Sequence, residues 1–233
     1  MKLIIAHLDV LEQMLPLLGI SWRGFDILTL KEKTFEIELH PDVQMCNLGA
    51  EMILSPQLYH ALQHRFSLDF KADHVICGRS NPSKNYPEDV IYNIVKIGGS
   101  VFYKNMDEAV RRCAMDKYTL VDVKQGYAKC STIVLNQNAV ITEDENLFDV
   151  YASRGIDVLK VEKGHVALEG FEYGFIGGAS LVMDDRIYFF GPIEAHPDFK
   201  RIASFLEKWQ FKFTALNFGA LTDLGGGFFI NYD

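Results

Sequence analysis

The sequence predicts an α/β fold of five pseudo-repeated strand-helix-strand units around a central axis, forming one domain over residues 1–233. Three observations predict it. A helix pattern followed closely by an apolar or alternating strand recurs about five times. The spacing is roughly 47 residues, in the range where internal repeats decide architecture. A glycine- or asparagine-punctuated pair of apolar segments recurs in the units. The remaining unit is split between the chain ends: LTDLGGGFFINYD (221–233) supplies strand material, and KLIIAHL (2–8) resumes it. A chain that closes on itself in this way forms a ring, and a ring gathers the turns between its units at the axis.

The elements follow in order. Residues 9–18 have helical spacing, with Asp9 as N-cap and Pro16 expected to kink or shorten the helix. DILTL (26–30) reads as the strand after it. Residues 36–56 read as extended segments around a His40-Pro41-Asp42 turn, because proline disfavours the helical region for the residue before it. Helix 56–66 carries Ser55 as cap and leads to strand LDFKA (68–72). Residues 77–89 are a polar loop rich in Asn, Ser and Pro. Residues 89–105 read as strand-turn-strand, followed by helix 106–116 and strand TLVDV (119–123). A hairpin over 129–144 turns at Asn136-Gln137-Asn138 and precedes helix 144–154, which ends on Gly155. Strand IDVLK (156–160), a hairpin over 174–193, helix 197–209 and strand FKFTA (211–215) complete the series.

Composition narrows the function. A hydrophobic content of 48% with 7 prolines fits a packed globular chain. The net charge of −8 makes a phosphate backbone, and so nucleic acid, an unsuitable partner, and suits a cationic small-molecule ligand. The four cysteines show no CxxC spacing and read as free thiols in a reducing, cytoplasmic setting. LIIAHL is too short and, with His7, Asp9 and Glu12, too polar for a signal peptide or membrane span. Gly177-Gly178 and Gly225–Gly227 lack nucleotide-loop spacing, and no histidine pair has metalloprotease spacing, so neither cofactor nor metal is expected.

The turns at the unit junctions carry the polar groups. Asp42, Asp89 and Asp223, if gathered at the axis, create a negative potential that calls for a cation or for raised carboxyl pKa values. Asn93 and Gln125 sit in equivalent turns and are expected to line the same cavity. Cys130 follows Lys129 and lies near Lys124; a neighbouring ammonium lowers a thiol pKa, and the competing reading is a small buried residue at a strand start. Cys46 and Cys113 read as core, and Cys77 as exposed beside the loop. His40 can act as acid or base with Asp42 orienting it, or simply pack on the turn. His165 could face the axis, whereas His196-Pro197-Asp198 is accounted for as a helix start.

The segments HPDVQMCNLG, YPEDVIYN, KQGYAKCS, YGFIGGAS and LTDLG resemble a bacterial branch of the pentein superfamily of guanidine-group-modifying enzymes, over essentially the whole chain from His40 onward. The resemblance implies an α/β propeller. It also implies attack of a cysteine thiolate on a guanidinium carbon, assisted by a histidine, while carboxylates hold the guanidinium. In that pattern a cysteine follows the C-terminal glycine run as GGG-x-x-x-Cys; here Asn231 stands in its place. The leading expectation is an amidinohydrolase- or amidinotransferase-like enzyme acting on a guanidino or related C–N small molecule. Cys130 attacks, His40 shuttles the proton beside Asp42, and Asp89, Asn93, Gln125, Tyr127, Lys129 and Asp223 bind substrate. The alternative is a non-catalytic binding protein, for which the superfamily offers a ribosome anti-association factor as precedent.

Overall fold

The computed structural model describes residues 2–30, 38–66 and 74–231. Their strands form five three-stranded sheets built by one rule. The middle strand pairs antiparallel with one neighbour and parallel with the other, and the parallel step is made through a helix, as parallel connections require. In the first unit β1 (Lys2–Ala6) leads through α1 (Leu8–Leu18) to β2 (Trp22–Asp26). The next is α2 (Pro41–Gln44), β3 (Met45–Asn47), β4 (Met52–Leu54), α3 (Pro56–Phe66) and β5 (Val75–Cys77). Then come β6 (Val95–Ile97), β7 (Ser100–Tyr103), α4 (Glu108–Ala114) and β8 (Thr119–Asp122). The fourth unit has β9 (Thr132–Asn136), β10 (Ala139–Thr142), α5 (Glu145–Ala152) and β11 (Asp157–Lys160). The fifth has β12 (Ser180–Met183), β13 (Arg186–Phe189), α6 (Phe199–Lys208) and β14 (Lys212–Ala215). Finally β15 (Gly227–Asn231) returns to pair antiparallel with β1, Lys2 opposite Asn231 and Ala6 opposite Gly227.

The first strands of the units form the inner wall. β3 touches β6, β6 touches β9, β9 touches β12 and β12 touches β15, while α2 packs on β15 and closes the circuit. The middle strand of each sheet is largely buried on both faces, which explains why these strands read as nearly continuous apolar runs, while the outer strands β2, β8, β11 and β14 are more exposed. Alternation along β1 shows the consequence. Leu3 and Ile5 pack with Met45, Leu54 and Leu58 of the following unit, while Ile4 and Ala6 pack with Leu181, Tyr188 and Phe190 of the last unit. Equivalent clusters fill the other seams: Ile53 with Tyr92 and Val110, Phe102 with Val140 and Tyr151, and Ile141 with Ile187 and Phe205. Among the described residues no helix is long and apolar enough to cross a membrane.

Several local expectations change. The α1 cap is His7, whose Nδ1 accepts from Asp9 N at 3.3 Å; the helix starts one residue earlier, so Asp9 falls in its first turn. Residues 26–30 are not the strand. β2 ends at Asp26 because its partner β1 ends at Ala6, and Ile27–Thr29 form a 3-10 turn capped by Asp26. The His40-Pro41-Asp42 segment is not an extended turn: His40 is extended, but Pro41 begins the single helical turn α2, a position its fixed φ favours. Residues 89–94 are not strand either, since a 3-10 turn at Glu88–Val90 delays β6 until Val95. Helix α6 begins at Phe199 and not at Pro197, so Asp198 precedes it; the Asp198 carboxylate accepts from Glu162 N at 2.7 Å and pairs with Arg201. LDFKA (68–72) lies outside the described residues.

Candidate active site

One end of the axis is built from the short segments that enter the inner strands. Asp42 lies on α2 before β3, Asn93 before β6, Cys130 before β9, Gly177-Gly178 before β12 and Asp223 before β15. Strand entry points are therefore where the ring concentrates its polar groups. Cys130 is 3% exposed and Asp42 0%. The Cys130 thiol donates to Asp42 Oδ2 at 2.8 Å, and Asn93 Nδ2 donates to Cys130 Sγ at 2.9 Å and to Asp42 O at 3.1 Å. Asn93 Oδ1 accepts from Lys129 N at 2.7 Å and Cys130 N at 3.2 Å, so this buried amide is committed on both sides and fixes three segments to one another.

Asp223 is anchored by backbone donors, accepting from Phe175 N at 2.9 Å and Gly225 N at 2.9 Å. His40 Nδ1 stands 3.7 Å from its Oδ1. Two glycines permit this approach. A Cβ on Gly178 would lie 2.0 Å from Asp223 Oδ1, and Gly225, at φ +73°, would bring one 2.4 Å from His40 Cβ. Asp89 accepts a hydrogen bond from the Tyr127 hydroxyl.

Above these groups opens a cavity of about 250 Å³ lined by His40, Tyr127, Leu168, Phe171, Glu172, Tyr173, Phe175 and Asp223. Tyr127 stacks on Phe175 at 6.0 Å between centroids, and Tyr173 meets Phe175 edge-on at 6.3 Å. Asp42, Asn93, Cys130 and Asp89 form the layer behind this lining.

The electrostatics follow from burial. Burial first, and then the Asp223 charge, pushes the Asp42 carboxyl up to about 7, against the opposing pull of Lys129. Burial likewise pushes the Cys130 thiol well up, and the Asp42 and Asp223 charges push it further. The expected lowering by lysine does not arise: loss of water, and then two nearby carboxylates, raise the thiol. The Tyr127 hydroxyl is raised by burial and by its bond to Asp89. Asp42 Oδ1 and Asp89 Oδ1 are buried acceptors without a donor among the described residues. Among the described residues, the ion-pair partner of these three aspartates is His40 alone, beside Asp223. No group of three or more potential metal ligands occurs among those residues.

Of the residues expected at this cavity, Asp42, Asp89, Asn93 and Cys130 do not line it, and Gln125 and Lys129 line other cavities. Gln125 Nε2 donates to Asp144 Oδ2 at 3.0 Å, and Gln125 lines the adjoining cleft with Glu143 and Lys160. Lys129 lines a cavity at the opposite end of the axis, its Nζ 6.0 Å from the Phe228 ring centroid. The reason is local: residues 127–132 make a tight turn, with Ser131 N donating to Tyr127 O and Thr132 N to Lys129 O. At that pitch Tyr127 and Cys130 share a face and Lys129 takes the other. His165 pairs with Glu162 and meets the His196 ring edge-on, away from the site. Burial lowers the His196 pKa, and its Nδ1 accepts from Asp198 N. Cys46 is buried as expected, and Cys77 and Cys113 are half-buried.

Sequence reasoning missed the loop 171–175 and Glu143. The loop supplies most of the aromatic wall; its signal is the density of aromatic residues in FEYGF, which fits neither helical nor strand periodicity. Glu143, 8% exposed, accepts from Ile176 N at 3.1 Å, and burial pushes its carboxyl up to about 8. An acid directly following the apolar strand AVIT was the available clue.

A family model described as a family of unknown function, DUF6873, matches residues 16–228. No curated protein sequence matches the chain. Among solved structures, a cysteine-to-serine mutant of DDAH from Pseudomonas aeruginosa, complexed with citrulline, superposes with a TM-score of 0.61 at 8% identity, covering 97% of this chain and 96% of that one. The inosamine-phosphate amidinotransferase of Streptomyces griseus gives 0.56 at 15% identity, over 95% and 77%. The agmatine deiminase of C. jejuni gives 0.50 at 12% identity, over 92% and 75%. At these identities the likeness is one of fold, and it matches the five-bladed ring with its polar axial end. The chain belongs to the DUF6873 family, and its fold is that of the penteins.

Proposed function

We propose that the protein binds a small molecule bearing a guanidinium or amidinium head in the axial cavity. The observation that carries this reading is the convergence of Asp42, Asp89 and Asp223, all buried, beneath an aromatic-walled cavity, with no lysine or arginine paired to them among the described residues. Buried carboxylates call for a counter-charge, and a planar cation with several N–H donors supplies both charge and hydrogen bonds. Two acceptor oxygens, on Asp42 and Asp89, lack donors among the described residues. Tyr127, Tyr173 and Phe175 offer faces against which such a cation stacks. The names of the structural neighbours, an amidinotransferase and an agmatine deiminase among them, are in keeping with this ligand class.

Calorimetric titration tests it, with butylguanidine as ligand and butanoate as control. Butylguanidine is expected to bind and butanoate not. Affinity is expected to rise with pH through about 7, as Asp42 ionises. Asp223→Asn should weaken binding by roughly tenfold or more, the usual scale for losing a charged hydrogen-bond partner. Equal affinity for both ligands, or none for either, overturns the reading.

A second, catalytic reading rests on one further observation, the 2.8 Å hydrogen bond from the Cys130 thiol to Asp42. In it the thiol gives its proton to Asp42 and the sulfur attacks the guanidinium carbon. The leaving amine takes a proton from His40, and water then releases Cys130 from the adduct. This reading requires the bound cation to offset the carboxylate charges that hold the thiol protonated. Release of amine from a guanidino compound, abolished by Cys130→Ala, distinguishes it from binding alone.

A further inference from the structure

The other end of the axis carries charge of the opposite sign. There a cavity of about 320 Å³ is lined by residues of all five inner strands, among them Asn47, Val134, Leu181 and Phe228. Two lysines line it, Lys96 on β6 and Lys129 just ahead of β9, and among the described residues no carboxylate does. Both lysines are half-buried, and among the described residues neither forms an ion pair. Each rests instead on an aromatic ring, Lys96 Nζ 5.7 Å from the Tyr118 centroid and Lys129 Nζ 6.0 Å from that of Phe228. Asn47 Oδ1 is occupied by Gly49 N at 2.7 Å, which turns its amide N–H donors to other use.

We infer that this cavity is a second binding site, for a small organic carboxylate with an apolar body. Two partly desolvated cations that form no ion pair among the described residues, Lys129 acting on Asp42 only from a distance, leave a positive potential that an anion neutralises. The remaining wall decides which anion. Beyond the Asn47 amide the donors are few: the Ser180 hydroxyl is spent on Gly177 O at 3.2 Å, and Ile94, Ile133, Val134, Leu181 and Phe228 offer none, so a phosphate held there would lose hydration at more oxygens than the wall can serve. A carboxylate confines its charge to one end and lays its hydrocarbon part on those side chains. The volume lies at the small end of the range for such ligands. The site is separate in place and in sign from the cation cavity and does not depend on that reading.

Amide-resolved NMR titration of the full chain tests it, with hexanoate as probe and acetate, inorganic phosphate and hexylammonium as comparisons. Hexanoate is expected to give saturable shifts on β6, β9, β12 and β15, with affinity roughly tenfold or more above acetate because of its added methylenes. Phosphate and hexylammonium should give no saturable shifts there. Lys96→Met and Lys129→Met should each weaken hexanoate by about tenfold, the scale of a charged contact. Absence of saturable hexanoate shifts, shifts confined to other elements, or equal binding of phosphate or hexylammonium each overturns the proposal. Should a variant fail to fold, the wild-type shift map and its charge selectivity still decide.

Discussion

The Cys130 sulfur receives a hydrogen bond from Asn93 and gives one to Asp42, so its proton is held between neighbours that are themselves withdrawn from water. With 3% of its surface exposed and its pKa pushed up, this thiol should be a poor nucleophile in the free protein. Iodoacetamide on the native protein is therefore expected to modify the half-buried Cys77 and Cys113 before Cys130 and Cys46, as read by mass spectrometry of timed digests. Labelling of Cys130 ahead of the other three would show that the carboxylates do not hold its proton. At this scale the sequence was a partial guide. Asp42, Asp89 and Asp223 stood out because they occupy short turns beside Pro or Gly, and all three are buried. Lys129 misled because adjacency in sequence does not tell which side of a turn a side chain takes. Distances such as that from Cys130 to Asp42, 88 residues apart in the chain, are a product of ring closure and cannot be read locally.

Among the elements, the junction of α2 and α3 shows how two short pieces hold each other. Ser55, fully buried, accepts from Leu58 N at 3.3 Å as the cap of α3, and its hydroxyl donates to Gln44 Oε1 on α2. Gln44 O accepts from Ser55 N at 2.7 Å, and Gln44 Nε2 donates to Glu38 O at 2.7 Å. Since α2 carries Asp42, the cap of one helix helps place an acid on another. Ser55→Ala removes the cap and strands the Gln44 oxygen, and should destabilise the fold by about 2 kcal/mol, measurable by urea denaturation. The cap was visible in the sequence from the Ser-Pro pair ahead of an amphipathic run. The helical turn of α2 was not: Pro41 restrains His40 and also starts a helix, and which effect dominates depends on the packing of α2 against β15.

For the molecule as a whole, the site makes stability depend on pH in an unusual sense. Asp42 and Glu143 are pushed up to about 7 and 8, from 3.8 and 4.5 in the unfolded chain. Between those limits the folded protein holds protons that the unfolded chain releases, so the contribution of these two groups falls as pH rises from about 4 to 8. His196, its pKa lowered by burial, opposes this below 6.5. Thermal denaturation is expected to show Asp42→Asn as more stable than wild type at pH 8.5, with the gap narrowing toward pH 5. Each kcal/mol is worth roughly 2–4 °C at this chain length. A gap that stays constant with pH would mean that Asp42 does not titrate in that window. The five-unit ring itself was legible, since a repeated pattern of helix and strand survives local errors in any one unit. The sign of charge at each end of the axis was not, because neighbouring residues divide between the two ends. The pairing of β1 with β15 also sets an order of events in the cell. As the chain emerges from the ribosome, β1 can engage β2 at once, but its other edge has no partner until β15 (Gly227–Asn231) has been made. At 5–20 residues per second that edge waits roughly ten seconds or more. Until β15 arrives the nascent protein thus carries an unpaired strand edge on the apolar β1, open to pairing with another growing chain.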